Sequence, residues 1–355
     1  MGMGVFETGV SKGMRVVNKN PQISKLNIIH YRGICNLELK DLGRVNVFAG
    51  VNNSGKTTIL EAIGLLSNPL ERMNFAKWAF MRIFQSRSLS KRMVDYLEFL
   101  FAGNRTIRIE ATINDKTYNV EYNSDVLTKS DASGQLQKMV KVVASLHGES
   151  GSKRESFTFR NNARGSYTNG SGLFNAKCIT THGNFYQNSV TYISDSMLNQ
   201  KKNLLLDVIR SFDTDIIDIM LKNDDILLHS ESIGVQPLFS YGSGLQKAVL
   251  LAACLISAEN NVILVDEIDS AMNQTAFHPV FHWFVCKCRE LNVQAFVTTH
   301  SLEAIDAILD TAKLQDDIRI ITLRKTPKSH RTIAQMRTGE QARSDRERFD
   351  MEMRV

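Results

Sequence analysis

The stretch that most constrains this chain is Gly50-Val51-Asn52-Asn53-Ser54-Gly55-Lys56-Thr57, a complete loop of the form G-x-x-x-x-G-K-[ST]. Residues 45–49 before it read as a short buried strand. Residues 58–66 after it read as a helix that Pro69 stops. Strand, glycine-bearing turn and helix in that order let successive backbone amides point at one anion, and the helix N-terminus adds its positive end. The anion such a loop holds is a nucleotide phosphate. Asn52, Asn53, Ser54, Gly55, Lys56, Thr57 and Thr58 are therefore the expected nucleotide contacts. Lys56 would reach the β- and γ-phosphates of ATP and assist chemistry there, and the Thr57 hydroxyl would sit on Mg²⁺.

Composition narrows the class. At 355 residues, 43% hydrophobic and 23% charged, the chain can bury a sizeable core as one large domain or two. No stretch approaches eighteen apolar residues, the N-terminus lacks a signal-peptide layout, and Phe6 stands where a myristoylation site needs Ser or Thr. The five cysteines (Cys35, Cys178, Cys254, Cys286, Cys288) form no C-x-x-C pair and read as reduced core thiols of a cytoplasmic protein without a membrane partner. A formal net charge of +6 leaves DNA open as a partner. Arg82, Arg87, Lys91 and Arg92 cluster, but no base-reading module accompanies them.

Along the chain, residues 1–22 read as a flexible leader. Residues 23–128 form an N-terminal lobe: two strands joined at Tyr31-Arg32-Gly33, the phosphate loop with its strand and helix, helices over 75–84 and 91–101, and a hairpin turning at Asn114-Asp115-Lys116. Residues 129–190, rich in Ser, Gly and Asn, read as a loop-rich insertion with one short helix over 136–146. Residues 191–325 form a C-terminal lobe. It opens with a strand at 191–194, a helix at 203–212 and strands at 216–221 and 226–229. It then alternates helix 245–256, strand 262–265, helix 277–290 with Pro279 in its first turn, strand 293–297, helix 302–309 and strand 318–323, the pattern of a parallel sheet. Residues 326–355 read as a charged tail.

Three further features carry chemistry. Strand 262–265 runs into Asp266-Glu267, which places Asp266 to hold Mg²⁺ and Glu267 to polarise an attacking water. The next strand ends at His300, where an imidazole can bond a γ-phosphate or orient water. Gly242-Ser243-Gly244-Leu245-Gln246-Lys247 opens a helix, a second anion-binding turn. One nucleotide has little use for two cradles on the same phosphates, whereas two copies facing each other would use both.

This order of motifs resembles ABC-type ATPase heads, the class that includes SMC and RecF proteins, and is more similar still to OLD-family and AriA-like stand-alone ATPases. The matching phrases include Tyr31-Arg32-Gly33-Ile34, residues 42–50, Gly242–Lys247, Asp266-Glu267-Ile268-Asp269 and residues 292–301. The resemblance implies an α/β fold with a P-loop core sheet, an antiparallel β subdomain and a helical or loop insertion. It implies Arg32 as a nucleotide contact, Gln85 as a metal contact, Gly242, Ser243 and Gly244 on the nucleotide of a second copy, and an ATP-dependent head-to-head dimer. The usual signature Leu-Ser-Gly-Gly-Gln keeps only its serine, one glycine and the glutamine here. About thirty residues follow Leu323, too few for the nuclease domain that OLD nucleases carry, so the resemblance implies a separate effector, a nuclease or toxin, in anti-phage defence or DNA maintenance. A slow-hydrolysing scaffold that holds such a partner is the alternative. A GTPase switch lacks its Asn-Lys-x-Asp base-reading motif.

Overall fold

In the computed structural model, described residues are 18–81, 89–101, 106–130, 136–160, 172–180, 185–198, 201–223, 225–311, 315–326, 331–349 and 352–353. The elements in chain order begin β1 (Ile23–Tyr31), β2 (Ile34–Leu39), β3 (Val45–Ala49), α1 (Lys56–Ser67), α2 (Arg72–Ala79), α3 (Leu89–Leu100), β4 (Ile107–Ile113), β5 (Lys116–Ser130), β6 (Leu136–Gly148), β7 (Gly151–Arg160) and β8 (Ala176–Ile179). They continue α4 (Phe185–Leu198), α5 (Lys202–Arg210), β9 (Ile216–Lys222), β10 (Asp225–Ser230), β11 (Gly234–Pro237), α6 (Ser243–Ser257), β12 (Val262–Val265), α7 (Gln274–Glu290), β13 (Gln294–Thr299), α8 (Leu302–Leu309), β14 (Ile318–Lys325), β15 (Thr332–Thr338) and α9 (Gly339–Phe349).

The centre is a six-stranded sheet in the order β15-β14-β3-β13-β12-β8. All its neighbours pair in parallel except the edge pair β14–β15. Its middle strands are apolar on both faces, as strands covered on both sides must be. Alternation then divides them. Val45, Val47, Val265, Ala295 and Val297 pack into one core with the apolar faces of α5–α8. Phe48, Leu264, Phe296 and Ile321 pack into a second core with α1, α2 and an antiparallel sheet ordered β2-β1-β4-β5-β6-β7. A small sheet, β11-β10-β9, lies on the first side, where Ile216, Ile219, Ile226 and Leu228 join that core. The α/β class, the parallel core and the antiparallel subdomain all follow the expectation from sequence.

Several local readings do not. Residues 136–146 form strand β6, not a helix, and with β5 and β7 they replace much of the expected loop-rich insertion by a long antiparallel ladder. Met139, Val140, Val142, Val143 and Ala144 are buried on both faces of β6, so the strand lacks the alternation that would have betrayed it. Residues 191–194 lie in α4, where packing overrides the β-branched residues. Helix α7 starts at Gln274, which moves Pro279 beyond the first turn; there it has no N–H to offer the Thr275 carbonyl. The expected tail pairs β15 with β14 and packs α9 by a two-pronged Arg346–Asp306 bond, both contacts at 2.8 Å. The leader touches the fold at Asn18, which is buried and donates to the Leu173 carbonyl at 3.1 Å; residues 1–17 lie outside the described residues.

One contact fixes how α1 leaves the phosphate loop. The backbone of Gly64 on α1 lies flat against the buried indole of Trp78 on α2, whose Nε1 donates to Asn74 at 3.0 Å. A Cβ at Gly64 would meet three indole atoms at 2.1–2.5 Å. We predict that Gly64→Ala destabilises the protein by about 1–3 kcal/mol, the overlap outweighing the ~1 kcal/mol gained in helix propensity. Urea unfolding at unchanged stability would show that α1 and α2 do not pack this way.

Candidate functional site

Every parallel strand of the central sheet points its carboxyl end to the same edge, where ligands of such sheets bind. The phosphate loop follows β3, His300 follows β13, and Asp266-Glu267 follows β12, and these three strands are consecutive neighbours. Alternation between sheet and helix therefore brings together residues more than two hundred positions apart.

The loop is built by backbone that only certain residues tolerate. Gly50 has φ +147° and its position for a Cβ falls 2.4 Å from the Leu323 carbonyl oxygen, so no larger residue fits. Asn53 adopts the left-handed region at +64°, and Gly55, at +106°, caps α1 without any side-chain bond. Val51, Asn52 and Asn53 are exposed at the tip, while Ser54, Lys56 and Thr58 are buried. Lys56 Nζ donates to the Gly50 and Val51 carbonyls at 2.6 and 3.0 Å, folding over the loop. Burial pushes its pKa down, and the nearby Asp266, Glu267 and Asp269 oppose that. Ser54 Oγ is buried without a protein partner. An unsatisfied hydroxyl, a lysine and a helix N-terminus without a side-chain cap on one loop fit an anionic phosphate.

Asp266 is the hub. Its Oδ1 accepts from Thr298 Oγ1 at 2.7 Å, and both carboxylate oxygens accept from Thr57 Oγ1 at 3.2 and 3.3 Å. A carboxylate and a hydroxyl that close can share a hard cation. Mg²⁺ asks for only one or two protein oxygens beside substrate phosphates. Thr57 and Asp266 are the residues that would hold it. Gln85 lies outside the described residues.

Glu267 sits at φ +49°, a conformation costing roughly 1–3 kcal/mol that the surroundings must impose. They do so through Thr298, whose hydroxyl accepts from the Glu267 amide at 2.8 Å, and through a turn in which the Ser270 amide donates to the Glu267 carbonyl at 3.0 Å. His300 is 56% exposed, with Nδ1 3.9 Å from Asp269, whose other oxygen accepts from Thr299 Oγ1 at 2.7 Å. Thr298, Thr299 and Asp269 had no role assigned from sequence. They fall inside the motif phrases, and the signal was a hydroxyl at two consecutive places of an otherwise apolar strand end.

Arg32 and the Gly242–Gly244 turn make contacts of their own in this structure. Arg32 has its guanidinium engaged with Glu61 of α1 at 2.8 Å, Tyr96 at 2.5 Å and the Ala79 carbonyl at 2.9 Å. In this structure the Glu61 contact ties β1–β2 to the helix that follows the phosphate loop. Breaking such a buried pair costs about 3–5 kcal/mol. Gly242, Ser243 and Gly244 open α6; Gly242 and Ser243 are exposed, and a Cβ at Gly242 would meet nothing within 4 Å. Gly244 is half-buried, its Cβ position 3.6 Å from the Phe212 ring, and Ser243 Oγ donates to the Ala271 carbonyl at 3.2 Å.

A family model described as "AAA domain, putative AbiEii toxin, Type IV TA system" matches residues 45–306, from the phosphate-loop strand through the strand-end histidine. The chain belongs to this AAA family. Its nucleotide-binding ATPase character is that of the family. Among curated relatives, the uncharacterized protein MJECL11 of Methanocaldococcus jannaschii is 27% identical over 114 residues, which are 32% of this chain and 98% of the relative. MJECL10 of the same organism is 43% identical over 49 residues, 14% of this chain and 22% of the relative, so the chain spans about a fifth of that protein. Similar solved structures are an SMC head bound to the C-terminal winged-helix domain of ScpA (13% identity, 90% of this chain and 99% of that one, TM-score 0.49) and the SMC head of Thermotoga maritima (14%, 88% and 98%, TM-score 0.42). No helix among the described residues is long and apolar enough to cross a membrane.

Thr298 offers a direct test of the hub. Thr298→Val keeps the shape but strips the donor from Asp266 and the acceptor from the Glu267 amide, and each buried group left unpaired costs about 1–3 kcal/mol. Denaturant unfolding should show a loss of that order, with Thr298→Ser recovering most of it. Equal stability of all three proteins would remove Thr298 from this role.

Proposed function

We propose that this member of the AAA family binds ATP with Mg²⁺ and hydrolyses it in a site completed by a second copy of the chain. We further propose that it serves as an OLD-like, AriA-like sensor or regulator for a separate effector in anti-phage defence or DNA maintenance. The observation that carries the nucleotide reading is the Thr57–Asp266 contact, which puts the phosphate-loop hydroxyl against the carboxylate of the strand that also supplies Glu267.

The residues divide the work. The loop amides, Ser54 and Lys56 bind and orient the triphosphate, and Lys56 offsets charge on its outer oxygens. Thr57 and Asp266 would hold the metal, which when bound neutralises phosphate charge. Glu267 takes a proton from the attacking water, and Thr298 holds its backbone amide. His300, steadied by Asp269, holds the water or the terminal phosphate at the site's edge. Gly242, Ser243 and Gly244 present an open helix N-terminus that suits the phosphates of a second copy's nucleotide. The toxin–antitoxin context in the family's description supports a toxin or nuclease as effector, and we place this work in the cytoplasm.

Two substitutions separate binding from chemistry. Lys56→Ala should weaken ATP binding by roughly 1.5–3 kcal/mol, about ten- to a hundredfold in Kd, at unchanged fold; undiminished affinity by calorimetry would sink the assignment of the loop. Glu267→Gln keeps shape but cannot accept a proton, so single-turnover hydrolysis should slow by ~10²–10⁴-fold while ATP still binds. Wild-type turnover in that variant would take the base away from Glu267.

A further inference from the structure

We infer that Lys247 is a positioning residue for Glu267: from the helix that carries the Gly242–Gly244 turn, its ammonium holds the 267–270 turn on which the hydrolytic carboxylate sits. The inference rests on the hydrolytic reading above and adds a residue to it.

Lys247 is 5% exposed and lies on α6 among buried Leu245, Ala248, Val249, Leu250 and Leu251. A charge there is expensive, and a methionine of similar length would pack the same space at no electrostatic cost. What keeps it is across the site. Its Nζ donates to Ser270 Oγ at 3.2 Å, and it feels the carboxylates of Asp269, Asp266 and Glu267, which offset the effect of burial on the ammonium. Ser270 closes the turn: its amide donates to the Glu267 carbonyl at 3.0 Å, and the Ile268 amide donates to the Thr298 carbonyl at 3.0 Å. Lys247 thus grips the far end of the segment whose near end is Glu267 in its left-handed conformation.

The grip has a second prong. Ser243, one helical turn before Lys247 and on the same face of α6, donates to the Ala271 carbonyl at 3.2 Å, and Ala271 is itself held at φ +64°. Helix α6 is therefore fastened to the loop after the carboxylates at two consecutive residues, 270 and 271. Of the two fastenings, the Ser243 one is at the exposed turn and the Lys247 one is half-buried, its lysine 5% exposed.

The test uses the full chain with Lys247→Met, Lys247→Arg and Ser270→Ala. Four quantities are compared with wild type: stability in denaturant, Kd for ATP–Mg²⁺, kcat and KM for hydrolysis, and hydrogen exchange of amides 266–272 without nucleotide. Lys247→Met should be at least as stable as wild type and bind ATP within about threefold. It should lose kcat by about 10²-fold, the scale of a 1 Å misplacement of a reacting group, and exchange faster over 266–272. Lys247→Arg should recover most of kcat, and Ser270→Ala should fall between. Wild-type kcat and exchange in Lys247→Met would overturn the inference, as would an arginine variant no better than methionine. Failure of the wild-type protein itself to hydrolyse ATP would instead strike the proposed function, and the exchange comparison would still judge the grip.

Discussion

The arrangement depends on one carboxylate. Asp266 stands at the end of β12 and accepts hydrogen bonds from the first turn of α1 and from the end of β13. Three elements that are far apart in the chain meet on its two oxygens. A carboxylate buried to 6% exposure is tolerable only when its lone pairs are used, and here Thr57 and Thr298 use them. The same geometry that satisfies Asp266 sets Thr57 where a cation can join it and ties the Glu267 amide to Thr298. Folding requirement and site geometry are one constraint at this point.

Around that hub the two cores play different parts. The core beneath the antiparallel sheet fixes α1, through Gly64 on Trp78 and the Arg32–Glu61 pair, and so fixes where the phosphate loop opens. The core beneath α6–α8 fixes the carboxylate strand and α6, which are then fastened together at Ser270 and Ala271. The loop and the Gly242–Gly244 turn thus belong to separately packed halves joined by the central sheet. Each half is held by its own buried contacts.

Much of this was legible in the sequence. The phosphate loop, the strand ending in Asp266-Glu267 and the strand ending at His300 declare themselves because their residue types are dictated by backbone geometry and by chemistry, not by packing. What was not legible was decided by tertiary burial. Strand β6 hid because Met139 and Val143 are buried on the face opposite Val140, Val142 and Ala144, which erases the two-residue period. Residues 191–194 look like a strand by composition yet pack as the middle of α4. The Arg-rich C-terminal stretch read as tail because its order comes from pairing with β14 and from the Arg346–Asp306 bond, neither of which leaves a local signal. Arg32 carried an expected nucleotide role, and only the structure reveals its partner Glu61, twenty-nine positions away.

In the proposed mechanism the Gly242–Gly244 turn and the phosphate loop are two halves of one nucleotide site shared between copies. Sedimentation of the Glu267→Gln protein with and without ATP–Mg²⁺, alongside the same variant with Gly244→Trp added, tests it most directly. A shared site gives an ATP-dependent doubling of mass that the added tryptophan abolishes without loss of ATP binding. A monomer that holds ATP yet never doubles, or a dimer indifferent to both ATP and Gly244→Trp, would contradict it.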